Sequence, residues 1–503
     1  MLLAPMALTA AKPDDGRPNI ILFMVDDMGW QDTSLPFWTQ RTHYNDTYET
    51  PNMERLALRG KMMTQAYACA ISSPSRCSLI TGSNNARHGI TNWTLKKDVT
   101  TDTPHATMTP AEWNLNGVCQ VAGVDRTYRA TSFVELLRQS GYHTIHCGKA
   151  HFGAMDTPGE DPHHFGFEVN IAGHAAGGPA SYLGENNYGN TPDGTNQSPF
   201  AIPGLERYWG SDTFVTEALT IEARKALDKA KKYDQPFFLY MAHYAIHIPL
   251  DRDQRYYQKY LDKGLSPNEA AYASLIEGMD KSLGDIMDWL DANGETDNTV
   301  LIFMSDNGGL ATSSAWRDGK LFVQNYPLNC GKGSLYEGGI REPMIVSWPG
   351  HIAPDTRCDS PLIIEDFYPT ILEMAGVEIP QVPQVIDGVS FMPLLTDKDT
   401  AINAERAFVW NFPNNWGNDG PGINFNCAIR KGDWKLVYYY ESGLKELFNI
   451  REDIGETRNM ASARPELVRS LSAELGEYLR GVGAGRPTVT ATGKASPWPD
   501  EVD

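Results

Sequence analysis

Five short apolar runs divide the first 350 residues of the chain. They are residues 19–25 (NIILFMV), 142–147 (YHTIHC), 237–242 (FFLYMA), 300–305 (VLIFMS) and 344–348 (MIVSW). Continuous apolar runs of this length are typical of strands that are buried on both faces of a sheet. Helical patterns lie between several runs, notably residues 132–140, which open with Ser-Phe-Val-Glu, and residues 267–293. This alternation predicts an α/β fold with a doubly wound, mainly parallel sheet flanked by helices.

The remainder of the 503-residue chain predicts a second, smaller unit, because single cores usually stop growing near ~250–300 residues. Residues 427–440 (CAIRKGDWKLVYYY) have the pattern of antiparallel strands, and a helix is expected around residues 465–479. We therefore predict a main domain over residues 16–385. A C-terminal α+β subdomain with an antiparallel sheet and a flexible tail is predicted over residues 386–503. Residues 156–210 lack periodicity and predict long loops over the edge of the sheet.

Composition narrows the choice of partners and compartment. With a formal net charge of -20, the chain lacks the basic surface that nucleic acids and anionic membranes require, so neither is expected as a partner. No segment reaches the ~20 apolar residues that a membrane span needs. Residues 1–15 (MLLAPMALTAAKPDD) are similar to the end of a signal peptide, although a misassigned start codon would look the same. They favour a periplasmic or secreted protein.

Polar residues follow four of the five apolar runs. These residues are Asp26 and Asp27, Lys149 and His151, His243 and His247, and Asp306 and Asn307. In an open parallel sheet, ligands bind outside the carboxyl ends of the strands. All four pairs are therefore expected in one crevice.

Two of these pairs predict a metal site. Adjacent carboxylates such as Asp26 and Asp27 repel each other unless a cation lies between them. With Asp306 and the amide of Asn307, they form an all-oxygen set that suits Ca²⁺, or Mg²⁺, rather than zinc. A lone Asp-Asp pair more often begins a turn or caps a helix. The Asp306-Asn307 pair, at another strand end, favours the metal site.

Lysines and histidines form a second group, with Lys332 in the segment CGKGSLYEGGIR joining Lys149, His151 and His247. Lysines beside a metal would hold a multiply charged oxyanion, and histidines transfer protons near neutral pH. In this setting Ser72, within CAISSPSRCSLITGS, is a candidate nucleophile. Arg76 follows it by one helical turn and is a candidate for stabilising the developing charge. Alternatively, Ser72 is the N-cap of the helical run 77–81.

These motifs resemble those of the type I sulfatases of the alkaline phosphatase superfamily, over most of the chain. Residues 72–76 (SSPSR) are similar to the sulfatase signature C/S-x-P-S-R, and residues 148–151 (GKAH) to the family's Gly-Lys-x-His. Residues 331–341 resemble the second lysine motif, and residues 432–449 resemble the C-terminal subdomain of the family. The resemblance implies an alkaline phosphatase-like fold and a bacterial carbohydrate sulfatase.

The resemblance also implies a formylglycine at position 72, made by oxidation of Ser72, whose hydrate attacks sulfur. It implies that residue 72 binds Ca²⁺ together with Asp26, Asp27, Asp306 and Asn307. Many family members have cysteine at this position. A serine implies maturation by a bacterial radical S-adenosylmethionine enzyme, although a serine introduced in place of a native cysteine would give the same sequence.

The same resemblance assigns roles to the remaining site residues. Lys149 and Lys332 would hold the sulfate, and Arg76 would support the nucleophile. His151 would accept the proton of the nucleophile, and His247 would protonate the leaving alcohol.

The loops point to a sugar as the alcohol that is released. They are rich in Trp, Tyr, Asn, Asp and His, with insertions at residues 36–50 and 156–208, and such loops suit a polyhydroxylated ring. We predict an exo-acting sulfatase for galactose or N-acetylhexosamine sulfates, with His174 as a candidate sugar-binding residue.

Two other functions are considered. A phosphomonoesterase or phosphodiesterase of the same superfamily would use unmodified Ser72, but a two-zinc enzyme needs more Asp and His ligands than these strand ends offer. A non-catalytic glycan-binding protein is disfavoured because every expected catalytic position is occupied.

Overall fold

The computed structural model describes residues 16–502 except 194, 196, 234, 314, 320 and 399. The candidate signal segment, residues 1–15, lies outside the described residues. The strands are β1 Asn19–Val25, β2 Lys61–Tyr67, β3 Met108–Thr109, β4 Val118–Cys119, β5 Tyr128–Arg129, β6 His143–Gly148, β7 Val169–Ile171, β8 Phe237–Ala242, β9 Thr299–Ser305, β10 Arg341–Ser347, β11 Thr356–Cys358, β12 Leu362–Ile363, β13 Ala407–Phe412, β14 Asn426–Lys431, β15 Trp434–Tyr439, β16 Lys445–Asn449, β17 Thr488–Val489 and β18 Lys494–Ala495.

The α-helices are α1 His43–Thr47, α2 Pro51–Leu58, α3 Ser72–Thr81, α4 Asn85–His88, α5 Phe133–Gln139, α6 Val215–Ala230, α7 Tyr257–Asp262, α8 Pro267–Asn293, α9 Glu337–Ile340, α10 Phe367–Met374, α11 Met392–Leu395 and α12 Pro465–Gly481. The two helices expected from their caps are confirmed as α5 and α8. Ser132 caps α5 by accepting a hydrogen bond from the Glu135 main chain, and Ser266 caps α8 in the same way through Glu269. No helix within the described part of the chain is long and apolar enough to cross a membrane.

The main sheet has the strand order β11-β2-β10-β9-β1-β8-β6-β7, with β12 also paired to β2. Strand β1 lies between β9 and β8 and is parallel to both, and β6 continues the parallel order on the far side of β8. Strand β10 runs antiparallel to its two neighbours, β9 and β2. The predicted mainly parallel sheet is therefore confirmed, with one reversed strand that the sequence pattern did not reveal.

Both faces of the sheet are covered by helices, as a doubly wound fold requires. Along β1, the side chains of Ile20, Leu22 and Met24 pack into the core formed with α3, α5 and α10. The alternate residues Ile21 and Phe23 pack into the opposite core, with α6 and α8. This two-sided burial explains why the strand is apolar at every position after Asn19.

A four-stranded antiparallel sheet, in the order β13-β14-β15-β16, lies in the C-terminal part, and α12 packs against it. The predicted antiparallel strands and C-terminal helix are confirmed. Further along the chain, β17 pairs with β18 and with β3, and Trp498 is buried in the same small core. The division of the chain at residues 385 and 386, and the flexibility of the tail, stay predictions.

The region predicted as loops, residues 156–210, contains β7 at the edge of the main sheet and several 3₁₀ turns. It is otherwise irregular. Strand β7 is only three residues long and half-buried, so it has no apolar run that could have identified it.

Candidate active site

Four central strands deliver polar residues to one edge of the main sheet. The residues are Asp26 and Asp27 after β1, Asp306 and Asn307 after β9, Lys149 and His151 after β6, and His247 after β8. These strands are consecutive in the sheet, in the order β9-β1-β8-β6. The structure therefore brings the residues into one crevice, and Ser72 and Lys332 reach it from α3 and from the segment before α9. His243 does not, because its ring is buried beside Ser282 on α8.

The three carboxylates could share one cation. Oxygen atoms of Asp26, Asp27 and Asp306 all lie within 4.8 Å of one another, and the three residues are buried. Asn307 donates its amide nitrogen to Asp27 Oδ1 at 2.8 Å and directs its amide oxygen toward Ser72 Oγ at 3.0 Å. The donors are all oxygen, so the site fits a hard divalent cation.

The surroundings of Asp26 and Asp27 shift the pKa values of the two carboxyl groups in opposite directions. Burial raises the pKa of Asp26 well above its ordinary value. Burial also acts to raise the pKa of Asp27, but the ammonium of Lys332 and then His247 outweigh it and hold this pKa below its ordinary value. Asp27 adopts φ 61°, a conformation that costs of order 1 kcal/mol in a residue other than glycine and often marks a functional site.

Three basic side chains face the three carboxylates. Lys149 Nζ lies 2.7 Å from Asp26 Oδ2, and Lys332 Nζ lies 2.8 Å from Asp27 Oδ2. Arg76 Nε donates to Asp306 Oδ2 at 2.8 Å. Each carboxylate therefore has a matching cation. A divalent cation bound at the carboxylates would add positive charge to the crevice, which would then attract an anion.

Ser72 is the first residue of α3, and the N-cap of that helix is Ile71, which makes no side-chain cap. The interpretation of Ser72 as an N-cap is therefore wrong. Its hydroxyl is instead directed into the crevice, 3.1 Å from Asp26 Oδ1, 3.0 Å from Asn307 Oδ1 and 2.9 Å from Lys149 Nζ. The hydroxyl lies where the carboxylates and a lysine meet, because the helix begins one residue earlier than a serine cap would require.

Arg76 lies one turn further along α3 and is fully buried. Besides Asp306, its guanidinium donates from Nη1 to the main-chain oxygen of Lys149 at 3.0 Å and to the Tyr240 hydroxyl at 3.2 Å. Among the described residues, no hydrogen bond joins Arg76 to Ser72. It therefore holds the position of Asp306 and of the segment that carries Lys149.

The two histidines of the crevice have defined tautomers. His247 donates from Nδ1 to the main-chain oxygen of Ile248 at 2.7 Å, which leaves Nε2 as the basic nitrogen, 3.8 Å from Asp27 Oδ2. His151 donates from Nε2 to the main-chain oxygen of Thr94 at 2.9 Å, so its basic nitrogen is Nδ1. Burial and the charge of Lys332 lower the pKa of His247 to about 3. Burial and Lys149 likewise lower the pKa of His151.

Two glycines allow these imidazoles to lie where they do. A Cβ atom at Gly177 would lie 2.2 Å from His151 Cε1, and one at Gly178 would lie 2.5 Å from His247 Nδ1. Both contacts are far shorter than any van der Waals distance. The Gly-Gly pair within the irregular segment 156–210 therefore packs directly on both histidines, a function that its sequence did not indicate.

His174 is placed behind the crevice rather than along it. It is buried, and its main-chain oxygen accepts a hydrogen bond from the His151 main chain at 3.2 Å. Burial lowers the pKa of the imidazole to about 4. His174 is absent from the described residues that line the cavity, and its proposed contact with a sugar stays a prediction.

A cavity of about 350 Å³ opens above Ser72, Asp27 and Lys332. Its walls carry aromatic residues that the sequence interpretation did not select individually, namely Trp93, Phe200, Trp316 and Trp416. They come from separate loops, so no spacing in the sequence connects them. Chemically, the cavity joins an anion-binding floor with proton-transferring groups to a wall suited to a flat or ring-shaped ligand.

Comparisons with known proteins agree with this geometry. The Sulfatase family matches residues 18–377, and the family described as N-sulphoglucosamine sulphohydrolase, C-terminal, matches residues 330–481. A sulfatase from Formosa agariphila is 30% identical, covering 92% of this chain and 88% of that protein. The N-acetylgalactosamine-6-sulfatase of Homo sapiens is 29% identical, covering 90% and 84%.

Solved structures show the same similarity. The crystal structure of Ps i-CgsB in complex with k-i-k-neocarrahexaose is 26% identical, with a TM-score of 0.70 over 92% of this chain and 93% of that one. The family match spans all the strand ends that carry the carboxylates, lysines and histidines of the crevice. The chain therefore belongs to the sulfatase family, has the alkaline phosphatase-like fold of that family, and is a sulfuric ester hydrolase.

Proposed function

We propose that this protein is an exo-acting glycan sulfatase that hydrolyses a sulfate ester of a galactose or N-acetylhexosamine unit. The proposal includes a formylglycine made from Ser72 and a bound Ca²⁺. The observation that carries it is the position of Ser72 Oγ, within 3.1 Å of Asp26, Asn307 and Lys149 side-chain atoms at once. An oxygen at this point can contact both a cation held by the carboxylates and the sulfate that the lysines attract.

The residues present fit both groups. The all-oxygen set of Asp26, Asp27, Asp306 and Asn307 favours Ca²⁺ over zinc, which prefers nitrogen and sulfur ligands. Position 72 begins a buried helix whose next residues are those of the maturation signature. When present, the formylglycine supplies an oxygen nucleophile, and the cation supplies positive charge beside the sulfate oxygens.

The chain's own residues then bind and orient the ester. Lys332, which lines the cavity, and Lys149, whose Nζ lies 2.9 Å from Ser72 Oγ, would hold sulfate oxygens. Arg76 keeps Asp306 and the Lys149 segment in position. These fixed charges favour the transition state because they need no reorganisation as charge develops.

Proton transfer falls to the two histidines. His247 and Asp27 both line the cavity, with His247 Nε2 3.8 Å from Asp27 Oδ2, and this nitrogen can deliver a proton to the oxygen of the departing alcohol. An anionic ester bound beside it would favour the imidazolium form that this step requires. His151 Nδ1, unpaired among the described side chains, can accept a proton near residue 72.

The cavity supports a sugar of limited size. Its volume of about 350 Å³ lies at the lower end of the range for small-molecule sites, roughly 300–1,000 Å³, which suits a single terminal ring and its sulfate. Three indoles provide stacking faces for such a ring. The named relatives include an N-acetylgalactosamine-6-sulfatase and Ps i-CgsB bound to k-i-k-neocarrahexaose, which supports a glycan as the class of substrate.

Biogenesis completes the proposal. A serine at position 72 would be oxidised by a radical S-adenosylmethionine maturase before the protein acts. We also propose that the mature protein is periplasmic or secreted, where it would meet sulfated glycans.

The test is sulfate release by the chain co-expressed with such a maturase, from galactose, N-acetylgalactosamine and N-acetylglucosamine sulfates. Turnover should disappear in EDTA and in the Ser72→Ala variant, which cannot be oxidised, and should return with Ca²⁺. Phosphate-ester hydrolysis faster than sulfate-ester hydrolysis, or two bound zinc ions, would instead support a phosphoesterase. Glycan binding without turnover in the matured protein would support a non-catalytic role.

A further inference from the structure

The cavity above the sulfate-binding floor contains almost no charge. Among the described residues that line it, the ionised side chains are Asp27 and Lys332, and these two contact each other at 2.7 Å. The lining histidines, His151 and His247, each donate one ring N–H to a main-chain oxygen, that of Thr94 and that of Ile248 respectively. The rest of the lining is aromatic, aliphatic, glycine, or neutral and polar.

Two indoles are fixed close to the reacting groups. The ring of Trp416 lies against Gly333, where a Cβ atom would come within 2.3 Å of it, and this glycine directly follows Lys332. Trp93 precedes Thr94, whose main-chain oxygen accepts the hydrogen bond from His151. Both indoles and Trp316 are half-buried, so part of each ring is open to the cavity. They form an aromatic wall, Trp93, Trp316 and Trp416, beside the floor.

Arg317, beside this wall, is not available to a second anionic group on the substrate. Arg317 follows Trp316, but its guanidinium is buried, donates to Glu269 at 2.6 Å and lies 3.8 Å from the centre of the Tyr272 ring. On the other side, the exposed Asp419 follows Asn418, which lines the cavity. An additional carboxylate or sulfate on the substrate would therefore lose hydration, gain no cation partner among the described lining residues other than Lys332, and approach a carboxylate.

From these contacts we propose that the sugar released by this enzyme is uncharged: a monosulfated neutral ring that stacks on the aromatic wall, with no uronate carboxylate and no second sulfate on the same ring. The inference rests on the proposed function and adds the charge of the substrate to it. Asn418, Thr312 and Ser313 supply neutral hydrogen-bonding groups for ring hydroxyls.

The kinetic test uses matched substrates and the matured enzyme. The monosulfate with the highest kcat/KM is compared with the same sugar carrying one additional sulfate, such as an N-acetylgalactosamine monosulfate against its 4,6-disulfate. We expect kcat/KM to be at least roughly 100-fold lower for the disulfate, because an unpaired buried charge carries a large penalty. Values within threefold of each other would overturn the inference while leaving the sulfatase activity intact.

A variant with an added cation tests whether the lack of charge in the lining causes the selectivity. Asn418→Arg places a cation at the lining and should narrow the difference between monosulfate and disulfate by about tenfold or more. The control is Gln254→Arg, an exposed position outside the cavity, which should leave the ratio unchanged. If the ratio of kcat/KM for the monosulfate to that for the disulfate is the same in Asn418→Arg as in the parent, the uncharged lining does not determine the preference for monosulfates.

A binding measurement does not depend on turnover. Methyl galactoside and methyl galacturonoside are titrated into the purified chain in excess inorganic sulfate, which occupies the anion-binding floor, and binding is followed by NMR. The two sugars differ mainly in one group on the same type of ring, a hydroxymethyl group in the first and a carboxylate in the second. We expect the neutral sugar to bind at least about tenfold more tightly. Equal affinity, or tighter binding of methyl galacturonoside, would overturn the inference, and absence of sulfate release from every ester by the matured enzyme would overturn the proposed function instead.

Discussion

Replacing Lys149 by methionine should lower both the stability of the fold and the activity of the enzyme. The side chain is buried, and its ammonium lies 2.7 Å from Asp26 Oδ2 and 3.8 Å from Asp306 Oδ2. Methionine has a similar length but no charge, so the substitution removes the cation and leaves two buried carboxylates without this partner.

The magnitude follows from the distances. With an effective dielectric constant of about 20, unit charges at these two separations attract by roughly 6 and 4 kcal/mol before desolvation is counted. Burial of the ammonium opposes this gain, and removing one partner of a buried pair typically costs about 3–5 kcal/mol. We expect a loss of that size in the free energy of unfolding. Loss of one fixed donor to the transferred group should also lower kcat by about 10²–10³.

Lys281→Met is the matched control. Lys281 also contacts two carboxylates, Asp285 at 2.6 Å and Glu217 at 3.2 Å, but its side chain is 37% exposed. Exposed pairs of this kind contribute at most about 1 kcal/mol. The assay is urea-induced unfolding of both variants, with sulfate release by the matured proteins. A Lys149→Met protein that is no less stable than Lys281→Met, or whose kcat stays within threefold of the parent, would contradict the role given to the Lys149 ammonium.

Three further predictions use other parts of the site and core. His247→Gln should lower kcat/KM by roughly 10²–10⁴ for a sugar sulfate but far less for 4-nitrophenyl sulfate, whose leaving group needs no proton; equal losses would exclude a general acid. Gly178→Ala, with a Cβ atom 2.5 Å from His247 Nδ1, should reduce sulfatase activity at least about tenfold by displacing the imidazole, whereas Gly481→Ala, with no atom within 4 Å, should not. Burial raises the pKa of Glu365 to about 7 from 4.5, so the folded state retains a proton that the unfolded state has lost between these values. This titration should lower stability by up to about 3 kcal/mol as pH rises from about 4.5 to 7, and Glu365→Gln should flatten the pH dependence of unfolding by that amount.

The sequence predicts the central strands of the main sheet well because a strand that is buried on both faces has a continuous apolar run. Strands β1 and β8 match their apolar runs to the residue, since both faces of each strand are covered. Strand β2 was not predicted because Lys61, Thr64 and Gln65 interrupt its apolar pattern. The buried Lys61 ammonium donates hydrogen bonds to the main-chain oxygens of Leu394 and Leu395. These partners are more than 300 residues away in the chain, so a local sequence pattern cannot show them.

The residues of the active site also differ in how well the sequence predicts their positions. Asp26 and Asp306 could be placed together because each directly follows a parallel strand, and the sheet alone fixes their proximity. The sequence could not place Trp93 and Trp416 together, because they reach the cavity from loops more than 300 residues apart in the chain. The position of Ser72 depended on where α3 begins, and a difference of one residue separates a helix cap from a side chain directed at the carboxylates.

The most direct test of the account is the mass of the peptide that contains Ser72, taken from protein produced with a radical S-adenosylmethionine maturase and active on a sulfate ester. Oxidation of the serine hydroxymethyl group to an aldehyde removes two hydrogens. The peptide from active protein should be lighter by this amount, and the Ser72→Ala protein should be inactive. An unmodified serine mass in protein that still releases sulfate would contradict a formylglycine nucleophile.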